Sequence, residues 1–123
     1  MVVNTTTHIF FIFEERLFQM EGNLIISRIK KTIHSNDPNA VAFLFGSRAR
    51  GDNKPDSDWD ILILVDAYKV TNEIEDNFRD GLYDIELESG QIISTFIFPK
   101  EYWRANLKYS PLYHDVENEG IRL

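Results

Sequence analysis

The sequence predicts a small α/β domain, a mixed sheet of three or more strands with helices packed on it. Three observations carry this. Apolar residues recur at helical spacing in two separate stretches, Ile25–Ile33 and Val70–Ile85. Short apolar runs of strand length stand between and after them. The resulting order is helix, strand, loop, strand, helix, strand, helix, which layers helices over a sheet.

Each element has its own signal. From Leu24 to His34, Ile25, Ile29 and Ile33 recur among polar positions that include Arg28, Lys30 and Lys31, an amphipathic helix. Asn36-Asp37-Pro38-Asn39 stops it, because the residue before a proline is pushed out of the α region. Ala40–Phe45 is an all-apolar run bounded by turn residues and reads as a buried strand. Gly46–Ser57 is a loop rich in Gly, Asp, Asn and Pro, and Asp58–Val65 a second strand with an apolar tail. Thr71 caps a helix that runs to Ser89, where Gly90 stops it. Its core stripe is Val70, Ile74, Phe78, Leu82 and Ile85. Gln91–Phe98 is a third strand, Pro99 opens a short helix through Leu107, and Ser110-Pro111 starts another that ends before Gly120.

The length of 123 residues is enough for one domain. The sequence is read as a single domain over residues 1–123, with 1–19 an N-terminal extension, 20–107 the core and 108–123 a C-terminal helix and tail. The extension is set apart by a change of character at Met20. A polar, β-prone stretch (Val2–Thr7) precedes the aromatic run His8–Phe13 and then Glu14-Glu15-Arg16. Phe10, Phe11 and Phe13 are expected to pack as an extra strand, a hairpin or a contact in a homo-oligomer.

Composition excludes several classes. A hydrophobic share of 43%, with nine Phe, five Tyr and two Trp, supplies a core and argues against disorder. No apolar run approaches the roughly 20 residues that span a bilayer, so no membrane partner is expected. The absence of cysteine excludes disulfides and thiolate metal sites and fits a cytoplasmic protein. His8, His34 and His114 stand too far apart in sequence to suggest a histidine metal cluster. The net charge of −7 disfavours non-specific nucleic-acid binding, which rests on phosphate contacts. Most of that excess lies between Asp66 and Gly90, where eight acids face two bases on what reads as a solvated helix face.

The chemistry concentrates in one stretch. Gly46-Ser47 ends an apolar strand, and such a turn offers backbone N–H groups and a hydroxyl to phosphate oxygens. Arg48 and Arg50 follow and can neutralise a polyphosphate. Asp58 and Asp60 stand at i and i+2 of a strand, so both carboxylates project from one face and Trp59 from the other. Their mutual repulsion is relieved by a hard dication, and Mg²⁺ favours carboxylates together with substrate phosphates.

Gly46-Ser47-Arg48-Ala49-Arg50-Gly51 followed by Ser57-Asp58-Trp59-Asp60-Ile61-Leu62-Ile63 resembles the signature of the nucleotidyltransferase superfamily related to DNA polymerase β, in its minimal bacterial and archaeal form. The resemblance implies a fold and a reaction. An acceptor hydroxyl attacks the α-phosphate of a nucleoside triphosphate such as ATP, and pyrophosphate leaves. It implies two Mg²⁺ ions, Asp58 and Asp60 as catalytic metal ligands, and Gly46, Ser47 and Arg48 as nucleotide-binding residues. Arg50 is read equally as a surface residue. Minimal members resemble antitoxins of toxin–antitoxin pairs, whose partners are often helical HEPN-type proteins.

One part of the family pattern is missing. Active members supply a third carboxylate from a later strand, and Gln91–Phe98 contains no acid. Ser94 or Thr95 stands where one is sought, which leaves the second metal site poorly supplied. Glu88, near the apolar stripe of its helix, is the best-placed substitute. The alternative function is therefore a nucleotide- or partner-binding, antitoxin-like module with impaired turnover.

Overall fold

The computed structural model describes residues 5–123, with the side chains of Thr5 and Phe18 left aside. Val2–Asn4, part of the β-prone stretch, lie outside the described residues. The elements are α1 (Thr5–Asn36), β1 (Val41–Phe45), α2 (Ser47–Arg50), β2 (Trp59–Val65), α3 (Asn72–Ser89), β3 (Ile93–Pro99), α4 (Lys100–Asn106), α5 (Pro111–Glu119) and β4 (Ile121–Arg122). The four strands form one mixed sheet in the order β3-β2-β1-β4. β1 runs antiparallel to both β2 and β4, and β2 runs parallel to β3. Helix α3 makes the crossover that a parallel pair requires.

Side-chain alternation divides the core into two faces. Trp59, Ile61, Ile63 and Val65 of β2 point to one side, with Ala42 and Leu44 of β1 and Ile93 of β3. There they meet Ile25, Ile29 and Ile33 of α1 and Phe78, Leu82 and Ile85 of α3, the two stripes read from the sequence. Leu62 and Leu64 point to the other side and meet Phe45, Trp103 of α4 and Val116 of α5. Asp60 shares the parity of Leu62 and Leu64, so its carboxylate belongs to the α5 side of the sheet.

The local signals are realised in the backbone. The Thr71 hydroxyl accepts from the Ile74 N–H at 3.2 Å, and Gly90 closes α3 in the left-handed conformation at φ 72°. The Ser110 hydroxyl accepts from the Tyr113 N–H at 3.1 Å and starts α5 in the same way.

Three features depart from the sequence reading. First, α1 does not begin near Leu24. It runs unbroken from Thr5, so residues 8–13 are helical rather than a strand or hairpin. Glu14, Glu15, Arg16, Leu17, Gln19 and Met20 are all good helix formers, and their summed preference outweighs the β-prone aromatics. Phe10, Phe11 and Phe13 are exposed on this helix. Second, the Gly46–Ser57 loop contains the one-turn helix α2. Third, residues beyond α5 form an edge strand, β4, pairing Leu44 with Ile121 and Phe43 with Arg122. Among the described residues no helix is long and apolar enough to cross a membrane.

Candidate active site

The site lies where β1 ends and β2 begins, which the antiparallel pairing brings together: Phe45 stands opposite Asp60. Gly46 follows at φ 75° and ψ −160°, a conformation essentially confined to glycine. Space demands glycine as well, because a Cβ there would lie 2.2 Å from Asp60 Oδ2. The Gly46 backbone and the Asp60 carboxylate are therefore in close approach. Gly46→Ala is expected to cost about 1–3 kcal/mol through backbone strain alone, and to displace Asp60 besides. Denaturant unfolding and Mn²⁺ titration check this; unchanged values in both would remove the argument for a close approach.

Asp58 is exposed and Asp60 half-buried. Burial, and then the neighbouring Asp58 carboxylate, push the Asp60 carboxyl above its ordinary pKa, with Glu119 adding to this and Arg50 opposing it. Ser94 of β3 stands in register with Asp60, and its hydroxyl donates to Asp58 Oδ2 at 3.4 Å. Like Phe96 and Phe98 it has the parity of the α5 side. A carboxylate at Ser94 would therefore join the pair.

Glu88 does not serve as the substitute acid. It is exposed and pairs with Arg28 of α1 at 2.8 Å, because α1 packs across α3 and draws it away from the sheet edge. Glu86 instead accepts the Ile93 N–H at 3.3 Å and fastens the start of β3.

Arg48 is engaged by protein rather than turned to the carboxylate side. Its Nε donates to the Ser57 carbonyl at 3.0 Å, and its Nη2 donates to the Pro55 carbonyl and to Gln91 Oε1, both at 3.2 Å. The guanidinium lies 4.2 Å from the centre of the Trp59 ring. Burial lowers its pKa, while Asp56 and Asp58 pull it the other way. Gln91 Oε1 also accepts the Trp59 indole N–H at 2.5 Å. Arg48 thus fastens the loop that delivers Asp58. Arg48→Ala is expected to lower stability by about 1–3 kcal/mol, from lost charged hydrogen bonds and ring contact. It should leave the salt dependence of triphosphate binding nearly unchanged. A large fall in salt dependence without loss of stability would place its charge on the ligand instead.

Arg50 takes the other direction. Its Nη1 donates to Glu119 Oε2 at 2.8 Å and its Nε to Asp52 Oδ2 at 3.3 Å. These carboxylates raise the Arg50 pKa, Glu119 most of all. Glu119, which the sequence reading did not single out, also accepts the Gly46 N–H through Oε1 at 3.3 Å. It reaches the site because β4 pairs alongside the end of β1. Glycine after α5 and a β-branched residue after that hint at an edge strand, the one sequence signal that bears on it.

The donor set suits a hard cation: Asp58 just before β2, Asp60 within it, and the Ser94 hydroxyl that reaches Asp58. Among the described residues no group of three or more His, Cys, Asp or Glu gathers as a metal cage. A cavity of about 700 Å³ lies elsewhere, lined by Val65, Asp66, Pro99 and Tyr102 at the far end of β2 and β3.

Comparison with known proteins bears on the family and the fold. The family model described as a nucleotidyltransferase domain matches residues 26–118. Two solved structures share the fold. One is a mutant of the toxin–antitoxin MntA–HpeT, at 21% identity and TM-score 0.55, covering 79% of this chain and 69% of that one. The other is a toxin–antitoxin with AMP-PNP, at 21% identity and TM-score 0.56, covering 78% of this chain and 69% of that one. No curated protein matches the chain.

Proposed function

Since the chain belongs to the nucleotidyltransferase domain family, we propose that it moves a nucleoside monophosphate from a triphosphate, ATP among them, to a hydroxyl acceptor in a Mg²⁺-dependent reaction. The observation that supports this is the close approach of the Gly46 backbone to the Asp60 carboxylate, where Asp60 itself excludes a Cβ at Gly46. On this reading a phosphate cradle and a cation-holding pair meet where β1 ends and β2 begins.

The residues divide the work. The Gly46-Ser47 turn and the Ser47 hydroxyl bind the triphosphate, and Arg48 keeps the loop in place. Asp58 and Asp60 would hold Mg²⁺, which would neutralise phosphate charge when bound. The acceptor oxygen forms a bond to the α-phosphorus as the bond to the bridging oxygen breaks. Pyrophosphate leaves with the electron pair, and the acceptor's proton passes to water at this open edge.

A hydroxyl on a partner protein is the acceptor that the fold neighbours favour, since both are toxin–antitoxin assemblies. A helical HEPN-type protein and a cytoplasmic setting go with that reading, and a homo-oligomer is compatible with it. The second reading is a binding module with impaired turnover, favoured by a serine rather than an acid opposite Asp60.

Incubation of the full chain with labelled nucleoside triphosphates, Mg²⁺ and candidate partner proteins tests the proposal. Label transferred to a partner or to the chain supports the transferase. Tight triphosphate binding with no transfer to any partner favours the binding module. Failure to bind triphosphate overturns both.

A further inference from the structure

Glu119 is held more firmly than a surface acid needs to be. Its side chain is 14% exposed, against 48% for its partner Arg50. One carboxylate oxygen accepts a backbone N–H at the Gly46 turn and the other accepts a guanidinium N–H. These are the two kinds of donor that a phosphate oxygen takes. The contact also brings a further negative group close enough to act on Asp60, a repulsion that Arg50 offsets.

The attachment that brings Glu119 here is slight. β4 has two residues, paired at Phe43–Arg122 and Leu44–Ile121, and the Leu123 N–H donates to the Ala42 carbonyl at 2.9 Å. His34 Nε2 lies 3.4 Å from the Leu123 carbonyl oxygen. A short edge strand of this kind releases at low cost.

We infer that the Glu119 carboxylate occupies, in the free protein, the seat of a triphosphate oxygen, and that nucleotide binds by taking Arg50 and the Gly46 N–H away from it. The inference rests on the nucleotide-binding reading above and adds to it a built-in competitor. Binding is thereby coupled to the hold of the C-terminal strand on β1. Nucleotide arrives, Arg50 turns from carboxylate to phosphate, and β4 loses one of its anchors.

The test uses the full chain and two probes, a non-hydrolysable ATP analogue with Mg²⁺ and inorganic tripolyphosphate, followed by calorimetry. Glu119→Gln keeps an acceptor for the Gly46 N–H but removes the charged partner of Arg50 Nη1, leaving Arg50 only its contact with Asp52. It is expected to bind both probes roughly three- to tenfold more tightly than wild type, the size of a partly exposed ion pair. Arg50→Ala is expected to weaken both, and the gain from Glu119→Gln should vanish in the Arg50→Ala background. Hydrogen exchange at Ile121–Leu123 should quicken when wild type binds nucleotide. Glu119→Asp, which keeps the charge, guards against a folding defect and should stay close to wild type. Unchanged or weaker binding by folded Glu119→Gln, with wild type binding normally, overturns the exchange alone and leaves the nucleotide reading standing. No binding of either probe by wild type or variants overturns both.

Discussion

Asp60→Asn is expected to remove Mg²⁺-dependent triphosphate binding and, with it, nucleotide transfer, and Asp58→Asn is expected to do the same. On the proposed function, each variant would leave one carboxylate for a cation held by two, and an amide oxygen is a neutral, weaker ligand. The free variant should differ in the opposite sense. Asp60 carries a raised pKa in the folded chain, first from burial and then from Asp58. Between its unfolded and folded pKa values the folded chain binds more protons than the unfolded one. Stability therefore falls as pH rises through that window, and the penalty is full above the folded pKa. Asn cannot ionise, so the variant should melt higher than wild type at neutral pH, with a flatter profile across the acid range. Thermal melts from acid to neutral pH check this, alongside Mn²⁺ titration with a triphosphate. Retained metal-dependent binding in both variants would sink the site. A variant melting lower at neutral pH would show that Asp60 is stabilised, not strained, by its surroundings.

The parts of the fold that were legible in the sequence are those set by short-range rules. Helix α3 is bracketed by a Thr71 cap and a Gly90 stop, with a stripe whose spacing admits one face toward the sheet. That the end of β1 and the start of β2 would meet was legible from two apolar runs joined by a loop rich in turn residues; that they pair antiparallel, with Phe45 opposite Asp60, came from the structure. Contacts between distant segments were not legible. Glu119 meets Gly46 across 73 residues through a two-residue strand, too short for any period to register. Glu88 lies at an angle that suits the sheet or the neighbouring helix, and only the path of α1, with Arg28 on it, decides between them. Arg48 and Arg50 are chemically alike in sequence. The fold separates them by sending one onto Trp59 and the other toward Glu119. The upstream turns of α1 were missed because aromatic β-preference is a local prior, and a run of helix formers beside it carried the backbone through.

Ser94→Asp is expected to raise nucleotide transfer in Mn²⁺. The argument is geometric. Ser94 is in register with Asp60, and its hydroxyl already reaches Asp58 at 3.4 Å, so a carboxylate there stands within reach of the same cation-holding pair. A third acid would add the ligand that Ser94 supplies only weakly, and it would help draw the proton from the acceptor. Assistance of that kind typically contributes 10²–10⁴-fold, so a gain of roughly tenfold or more is the expected scale for an imperfectly placed carboxylate. The free variant should also be less stable at neutral pH, because one more acid is added beside Asp58 and Asp60. That loss should be recovered on adding Mn²⁺, which an incidental surface substitution would not show. Single-turnover transfer rates and melts with and without Mn²⁺ measure both effects. If transfer is unchanged while Mn²⁺ stabilises the variant, the extra acid binds metal without serving the reaction, and slow turnover has another origin. If neither changes, the Ser94 position is not the vacant one, and Glu119, already beside Gly46, becomes the acid to examine.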